Sequence, residues 1–154
     1  MTEENKKSDS LITLFETKKS LTITLLRARE SLMMSFRPML AKHNFTEQQW
    51  RVLRVLGEKG PCDAGQLATE ACILSPSLSR IINTLIENNF IIKKEDKLDK
   101  RKIILEISDE GKIKLESIKP EYLAILKSIQ KRYGEDKINK ILILLTEIID
   151  WRSR

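Results

Sequence analysis

The sequence predicts a mainly α-helical fold with one small β-hairpin, and three observations support this class. Apolar residues recur at helical spacing over several stretches of the 154-residue chain. Two short apolar runs flank one highly charged tip in the middle of the chain, which is typical of a hairpin. A composition with 41% hydrophobic and 32% charged residues is that of an ordinary globular domain with a core. We therefore expect a single domain.

The first two predicted helices lie within the first 60 residues of the chain. Apolar side chains repeat at helical spacing over residues 20–42, and Pro38 is expected to bend or break this helix. The second helix opens with Thr46 and Gln49, which have the spacing of a capping box. Its apolar stripe consists of Val52, Leu53 and Leu56. We expect this helix to end at Gly60.

The next two predicted helices are close together in sequence. A short third helix begins at Asp63, which has Gln66 at capping-box spacing. The fourth helix has Ser75 as its expected N-cap and Pro76 at its first helical position. Its inward stripe consists of Leu78, Ile81, Ile82 and Leu85. Two helices separated by a few residues, the second with small polar groups outside, indicate a helix-turn-helix.

The hairpin and two further helices complete the predicted fold. "FIIKKED" and "RKIILEI" are expected to form two strands joined by the charged tip, which makes a wing beside the helix-turn-helix. Ser108 is expected to cap a helix that runs to about Lys131 with a kink at Pro120. A last helix is expected from about Glu135 to Trp151.

The last predicted helix is apolar on more than one face. Its apolar residues are Ile138, Ile141, Leu142, Ile143, Leu144, Leu145, Ile148, Ile149 and Trp151. A surface helix of a monomer needs only one apolar stripe, so the second stripe predicts contact with another chain. A helix buried in its own core is the alternative. We favour a homodimer interface.

The outer face of the fourth helix is a candidate DNA-reading surface. Its outward or lateral residues are Ser75, Ser77, Ser79, Arg80, Asn83 and Thr84. Small hydroxyl groups near a helix N-terminus allow the backbone to approach base edges and phosphates closely. An arginine such as Arg80 reaches a guanine edge or a phosphate. A routine amphipathic helix with a solvated face would show the same pattern. This helix alone therefore does not decide between a DNA-reading surface and a solvated face.

The hairpin tip carries more charge than a solvated turn needs. If the fourth helix enters a major groove, the hairpin lies over the adjacent minor groove, where Arg101 is expected to insert. Basic residues expected near the DNA backbone are Lys97, Lys100 and Lys102. Asp99 is expected to orient Arg101 through a salt bridge. A formal net charge of +6 favours a polyanionic partner, although basic surfaces without such a partner are common.

The wing carries a motif with a family resemblance. Asp99-Lys-Arg101, five residues, Ile107-Ser108, two residues and then Gly111 resemble the wing signature of the MarR (multiple-antibiotic-resistance regulator) family. The usual form of this signature has Leu-Thr where this chain has Ile-Ser. The motif is fairly specific when it follows a helix-turn-helix, as it does here.

The resemblance extends over nearly the whole chain, because the order of helices and wing matches over about residues 20–150. It implies one MarR-type winged helix-turn-helix domain over residues 1–154. The DNA-binding lobe is expected over about residues 46–107. N- and C-terminal dimerisation helices are expected over about residues 10–43 and 108–154.

A closer resemblance lies upstream of the wing. "LLRARESLMMSFRPMLAKHNFTEQQWRVLRVL" and "ACILSPSLSRI" are similar to the regulators of homoprotocatechuate (3,4-dihydroxyphenylacetate) degradation operons. Such proteins are homodimeric repressors that release DNA when a small aromatic acid binds. Relatives often carry a basic residue where this chain has Leu98, and some carry an arginine in place of Ser75. The resemblance therefore does not specify the operator sequence.

The resemblance also implies an effector pocket between the helical dimer region and the DNA-binding lobe. Arg27, Ser31 and Met34 share one side of the first helix through spacings of four and three residues. Trp50 and Arg51 lie near the start of the second helix. An arginine binds a carboxylate bidentately, and Trp50 or Met34 would pack against a ring. A core tryptophan and surface or salt-bridged arginines are the alternative interpretation.

Other sequence features argue against catalysis, metal binding and cofactors. His43 is the only histidine, and we expect it to cap the end of the first helix rather than bind a metal. Cys62 and Cys72 are too few for a disulfide scaffold and are expected to be structural, with redox sensing as the alternative. We find no phosphate-binding glycine loop and no nucleophile beside a base, so we expect no enzyme.

The sequence thus predicts a cytoplasmic, homodimeric repressor that binds a palindromic operator in double-stranded DNA and is released by a small aromatic acid. The longest apolar run is far too short to span a membrane, and no secretory signal is recognisable. Two alternatives remain open. One is a constitutive DNA-binding protein without an effector, and the other is a protein-interaction module whose basic wing binds an acidic partner.

Overall fold

The computed structural model describes Thr17 and residues 20–96, 99 and 101–150. The helices and strands of this part of the chain are α1 (Leu21–Lys42), α2 (Glu47–Lys59), β1 (Cys62–Asp63), α3 (Ala64–Ala71), α4 (Ser75–Glu87), β2 (Ile91–Glu95), β3 (Ile103–Ile107), α5 (Asp109–Tyr133) and α6 (Glu135–Asp150). The chain divides into two compact units, residues 1–38 and residues 39–154. None of the described helices is long and apolar enough to cross a membrane.

Both predicted capping boxes are present. The backbone N–H of Gln49 donates to Thr46 Oγ1 at 3.1 Å, and the backbone N–H of Thr46 donates to Gln49 Oε1 at 2.9 Å. Asp63 and Gln66 make the same reciprocal pair at the start of α3, at 2.8 and 3.3 Å. Gly60, with φ of 86°, ends α2 as predicted. The polar side chains therefore fix where α2 and α3 begin.

The start of α4 differs by one residue from the prediction. Its N-cap is Leu74, which has extended backbone angles, and no side chain caps the helix. The Leu74 carbonyl accepts hydrogen bonds from the backbone N–H groups of Ser77 and Leu78, both at 3.0 Å. Because these bonds already close the first turn, Ser75 is the first helical residue and not the N-cap. Pro76 accordingly takes the second helical position.

Pro38 and Pro120 lie in helix interiors, beyond the first turn. Pro38 is within α1, which continues from Leu21 to Lys42, so the helix does not break there and a bend at Pro38 stays a prediction. Pro120 is within α5, which reaches Tyr133, two residues beyond the predicted end. A proline removes one backbone hydrogen bond, and the remaining turns of these long helices maintain the helical conformation on both sides.

Within the described part of the chain, the sheet has three antiparallel strands in the order β1-β3-β2. The predicted hairpin pairs β2 with β3, with Ile91 opposite Ile107. The short strand β1, which the sequence did not predict, pairs Cys62 with Leu105 and Asp63 with Ile104. Since Asp63 also caps α3, one residue connects the hairpin to the start of the helix-turn-helix.

The core of the second unit consists of aliphatic side chains from its helices and strands. The largest fully buried side chains are Leu40, Val52, Leu53, Leu56, Leu67, Leu78, Leu85, Ile91, Leu105 and Ile118. The predicted apolar stripes of α2 and α4 are buried. Their burial holds the two helices in place and turns the opposite face of α4 outward.

The junction between β3 and α5 is closely packed. As predicted, Ser108 caps α5, because its Oγ accepts from the backbone N–H of Gly111 at 2.9 Å. The same hydroxyl donates to the carbonyl of Asn89 at 2.5 Å. A Cβ atom added at Gly111 would lie 2.3 Å from the carbonyl oxygen of Phe90. Only glycine fits there, so this motif residue maintains the packing between the hairpin and α5.

Helix α6 has no buried residue in the single chain. Its large apolar side chains are 42–70% exposed at Ile141, Leu142, Ile143, Leu144, Ile148 and Ile149. The alternative of a helix buried in its own core is therefore wrong. The predicted end of this helix at Trp151 lies outside the described residues.

Candidate DNA-binding surface and effector site

The outer face of α4 presents the side chains that the sequence predicted for DNA contact. All five predicted residues on α4, Ser75, Ser77, Ser79, Arg80 and Asn83, are exposed, and Thr84 is half-buried. The buried stripe on the opposite side of the helix accounts for this orientation. A helix with one apolar face in the core and a short polar outer face has the shape needed to enter a major groove.

The turn between α3 and α4 sets the position of this surface. Cys72 has left-handed backbone angles (φ 50°, ψ 52°), and its N–H bonds back to α3 at the carbonyls of Ala68 and Thr69. The N–H of Ile73 also donates to the Ala68 carbonyl at 3.0 Å, and its side chain is buried. These contacts give the chain a tight reversal, so α4 follows α3 after three residues.

The polar groups of α4 differ in how much they interact within the protein. Thr84 Oγ1 donates to the carbonyl of Arg80 at 3.2 Å, and Ser79 Oγ lies 3.4 Å from the carbonyl of Ser75. Within the described residues, the hydroxyl of Ser77 and the guanidinium of Arg80 have no hydrogen-bond partner. The helix thus leaves hydroxyl and guanidinium donors available to an external acceptor.

The hairpin tip is held by hydrogen bonds between its backbone and two acidic side chains. The N–H of Asp99 donates to Asp96 Oδ1 at 3.0 Å, and the N–H of Arg101 donates to Asp99 Oδ1 at 3.1 Å. The N–H of Lys102 donates to the Asp99 carbonyl at 2.8 Å. The predicted salt bridge is therefore wrong: no ion pair joins Asp99 to Arg101, because the carboxylate binds the arginine's backbone N–H instead.

The tip orients Arg101 through the main chain, and the side chains of Arg101 and Lys102 are exposed. On the hairpin below, Lys94 Nζ lies 2.5 Å from Glu106 Oε2 and connects the two strands. Two other predicted DNA contacts, Lys97 and Lys100, lie outside the described residues. The described tip presents cationic groups on a fixed turn, as contact with a polyanion requires.

The predicted effector residues on α1 belong to the first compact unit. Arg27, Ser31 and Met34 are all exposed, and in the described part of the chain neither Arg27 nor Ser31 makes a hydrogen bond or ion pair. In the second unit, Trp50 is buried and Arg51 is half-buried, again without a described ion pair. Trp50 and Arg51 are neighbours on α2, and the structure assigns a ligand to none of the five.

Trp50 lies in a cluster of aromatic rings and has an unsatisfied donor. Its ring centroid is 6.1 Å from that of Phe45 and 5.7 Å from that of Tyr122 on α5. The indole Nε1–H is buried and, within the described residues, has no hydrogen-bond partner. A buried donor without a partner costs roughly 1–3 kcal/mol, so an acceptor that reached this N–H would stabilise the cluster.

Arg54 is a neighbour of this cluster that the sequence reasoning missed. It lies one helical turn after Trp50, and its Nη1 donates to the Tyr122 hydroxyl at 2.8 Å. Nε and Nη2 both donate to Glu58 Oε1, at 3.1 and 2.7 Å. Partial burial lowers the pKa of Arg54, but the hydrogen bond to Glu58 and the Tyr122 and Glu58 charges outweigh it and raise that pKa.

The spacing of Arg54 four residues after Trp50 was the signal that could have identified it, because residues four apart share a helix face. A guanidinium carries five N–H donors. The three nitrogens of Arg54 each make a described hydrogen bond, and hydrogens on Nη1 and Nη2 are left for a further acceptor. Together, Arg54, Trp50 and Tyr122 combine aromatic surface with donors suited to a carboxylate or phenol.

Glu121, the neighbour of Tyr122, connects α5 to the end of α1. Lys42 Nζ donates to Glu121 Oε1 at 3.0 Å, and His43 Nε2 lies 2.9 Å from the same oxygen. These two partners, Lys42 first, lower the pKa of the Glu121 carboxyl. His43 was expected to cap the end of α1, and it does so through its backbone N–H, which donates to the carbonyls of Met39 and Leu40 at 3.3 and 3.1 Å. Its imidazole pairs with Glu121 in addition.

The two cysteines lie on either side of α3. Cys62 is half-buried in β1, and its pKa is raised by burial and by the charges of Asp63 and Glu70. Cys72 is exposed in the turn before α4. Neither forms a disulfide. A raised pKa lowers the thiolate fraction of Cys62, which disfavours a redox role there.

Comparison with known proteins identifies the family of this arrangement. Residues 45–103, which include the helix-turn-helix and most of the hairpin, match the model of the MarR family. The chain is 37% identical over 129 residues to the HTH-type transcriptional regulator FarR of Neisseria gonorrhoeae, covering 84% of this chain and 88% of FarR. It is 35% identical over 130 residues to the homoprotocatechuate degradative operon repressor of Escherichia coli, with the same coverage of both chains.

A solved structure supports the same assignment. NadR, crystallised in complex with 4-hydroxyphenylacetate, is 37% identical and superimposes with a TM-score of 0.76. The match covers 84% of this chain and 92% of the NadR chain. The mainly helical fold with a winged helix-turn-helix is therefore confirmed. From the extent and identity of these matches, the chain belongs to the MarR family.

Proposed function

We propose that this protein is a homodimeric transcriptional repressor that binds a palindromic operator and releases it when a small aromatic acid binds. Two observations support the two halves of the proposal. One relative, at 35% identity, is named a homoprotocatechuate degradative operon repressor. NadR, at 37% identity, was crystallised with 4-hydroxyphenylacetate, an aromatic acid. We infer a regulator of transcription in the cytoplasm, not an enzyme.

The DNA-binding half is carried by α4 and the hairpin. We assign this role to a lobe of about residues 46–107, within one MarR-type domain that spans the chain. On α4 the proposed contacts are Ser75, Ser77, Ser79, Arg80 and Asn83, and on the hairpin they are Lys97, Asp99, Lys100 and Arg101. The α4 residues contact base edges and nearby phosphates, and the hairpin adds cationic groups over the neighbouring groove. Asp99 acts indirectly, because it fixes the main chain at Arg101.

The effector half is carried by the unpartnered Nε1–H of Trp50, the observation that most directly calls for a ligand. A carboxylate or phenol oxygen accepts from this donor, and the Arg54 guanidinium supplies further donors beside Tyr122. The ring of the acid packs against the Trp50 and Tyr122 rings, whose centroids are 5.7 Å apart. Arg27, Ser31, Met34 and Arg51 remain predicted effector-binding residues.

The dimer that both halves require rests on α6. We propose that the exposed apolar side chains of α6 contact a second copy of the chain, within dimerisation regions of about residues 10–43 and 108–154. A row of large apolar side chains, each 42–70% exposed, is unfavourable in water and is typical of an oligomer interface. Twofold symmetry places two α4 helices in successive major grooves, about 10 base pairs apart.

The proposal is tested by titrating the protein onto the duplex upstream of its own gene, with and without 3,4-dihydroxyphenylacetate, 4-hydroxyphenylacetate or a hydroxycinnamate. We expect a specific complex, resistant to competitor DNA, that dissociates with one of these acids. A specific complex that ignores all of them supports a constitutive DNA-binding protein and contradicts the effector half. If the protein shows only salt-sensitive, nonspecific binding, the DNA-binding half is wrong as well.

A further inference from the structure

We propose that Leu74 contacts the C5-methyl group of a thymine and is a further specificity-determining residue of the DNA-binding surface. This inference rests on the proposed function. Leu74 is the N-cap of α4 and comes directly before Ser75, the first residue of the proposed contact surface. Its side chain is 80% exposed, which is more than for any other large apolar side chain among the described residues.

The backbone around Leu74 is fixed, so the exposed side chain is held in one place. The Leu74 carbonyl accepts from the N–H groups of Ser77 and Leu78, both at 3.0 Å. The preceding residue, Ile73, is hydrogen-bonded to α3 and has a buried side chain. The Ile73 side chain is 7% exposed, whereas that of Leu74 directly after it points to the outside of the turn. The Leu74 side chain therefore has no role in the core of the chain.

The residues around Leu74 favour DNA as the partner that contacts its side chain. In helix-turn-helix proteins, the N-terminal residues of the recognition helix contact base edges in the major groove. The exposed hydroxyls of Ser75 and Ser77 follow Leu74, and the Arg80 guanidinium lies farther along the helix. Leucine offers no hydrogen-bond donor or acceptor, and the apolar feature of the major-groove edge is the thymine methyl group. Bringing the two together removes apolar surface of both from water.

The test uses a duplex selected by the protein itself from a random library. Each thymine is replaced in turn by uracil, which lacks only the C5-methyl group, and affinity is measured for each duplex. For the wild-type protein, uracil at one position in each half-site is expected to weaken binding on the order of fourfold, the factor for burial of one methyl-sized group. In Leu74→Ala the same replacement is expected to change affinity less than about twofold, since the contact is already absent.

Two further variants control for fold and chemistry. Leu74→Met retains a flexible apolar side chain and is expected to keep the methyl sensitivity of the wild type. Ile92→Ala shortens another exposed apolar side chain, on β2 and outside the proposed DNA contacts, and is expected to leave the uracil profile unchanged. Since both sites are exposed, all three variants are expected to keep the wild-type unfolding temperature.

The outcomes separate this inference from the proposed function. If Leu74→Ala is as sensitive to the missing methyl group as the wild type, the inference is overturned. It is also overturned if no thymine in the selected duplex is methyl-sensitive for the wild type. In both cases a specific palindromic complex leaves the proposed function standing. Failure to select any duplex would overturn the proposed function and this inference together.

Discussion

Arg54 donates a hydrogen bond of 2.8 Å to the hydroxyl of Tyr122, across 68 positions of sequence. Its guanidinium carbon lies 4.9 Å from the centroid of the same ring. The contact connects α2, which carries Trp50, to α5, which leads towards the exposed α6. A ligand that binds Arg54 and Tyr122 therefore acts on two helices at once. This is the physical basis that we propose for communication between effector and operator.

Replacing Arg54 is expected to impair effector binding more than replacing Arg51. Arg54→Gln removes the cationic donor beside Tyr122 that we propose binds the effector. A hydrogen bond to a charged group contributes about 1.5–3 kcal/mol. We expect affinity for 4-hydroxyphenylacetate, measured by calorimetry, to fall at least about tenfold in Arg54→Gln. Arg51→Gln is the matched control. If Arg51→Gln has the larger effect, the sequence-based choice of arginine is correct and the structure-based choice is wrong.

Removing the unpartnered donor of Trp50 is expected to destabilise the effector-bound protein more than the effector-free protein. Trp50→Phe keeps an aromatic ring but deletes Nε1–H, which in the described residues has no acceptor. The free protein thus loses no hydrogen bond and loses only part of the packing, roughly 1–3 kcal/mol. We expect the rise in unfolding temperature on adding effector to disappear in Trp50→Phe. An unchanged thermal shift would contradict the role given to this donor.

The two possible roles of Asp99 are separated by a conservative substitution. Asp99→Asn keeps an oxygen that accepts from the Arg101 N–H but removes the charge, and Asp99→Ala removes both. Because the structure shows a backbone contact, we expect Asp99→Asn to bind operator at least as tightly as the wild type. We expect Asp99→Ala to bind operator more weakly than the wild type. We expect Arg101→Ala to lower the affinity for operator and to reduce the salt dependence of binding by the equivalent of about one phosphate contact per chain. Equal losses in Asp99→Asn and Asp99→Ala would favour a salt bridge instead.

The apolar face of α6 is expected to be essential for dimer formation. Leu144 and Ile148 are four residues apart, so Leu144→Glu/Ile148→Glu places two charges on one side of the helix. We expect this variant to sediment as a monomer and to lose high-affinity operator binding. A monomer binds only one half-site and lacks the gain in affinity that a dimer has from binding two half-sites at once. Lys140→Glu, a charge change at an exposed residue of the same helix, is the control. A variant with the wild-type mass in solution would exclude this face as the interface.

Local signals along the chain predicted much of the fold. Capping boxes at Thr46 and Asp63 and the glycine after α2 identified helix boundaries correctly, because each is a contact between residues close in sequence. The predicted start of α4 was wrong by one residue, because the carbonyl of Leu74 closes the first turn without a side-chain cap. Strand β1 was missed, since two residues carry no periodicity and its pairing with β3 is a distant contact.

The candidate sites were harder to predict than the fold. The outward residues of α4 followed from its buried stripe, which is a local pattern. The contact of Arg54 with Tyr122 depends on how α2 packs against α5, and no local pattern encodes it. The contact of Asp99 with the Arg101 N–H is local, two residues apart, and the expected salt bridge overlooked it. The His43 imidazole, by contrast, pairs with Glu121, 78 residues along the chain. Tertiary contacts between distant residues therefore decide the positions of the Arg54 and His43 side chains.

Effector-controlled repression is tested most directly by comparing how much operator weakens effector binding with how much effector weakens operator binding. Affinity for 4-hydroxyphenylacetate is measured by calorimetry on the free protein and on the protein saturated with its selected operator duplex. If the protein is an effector-released repressor, operator weakens effector binding by the same factor by which effector weakens operator binding. We predict equal factors, each at least about fivefold, the lower range for such coupling. An effector affinity that is identical with and without operator would show that the effector does not release the protein from DNA.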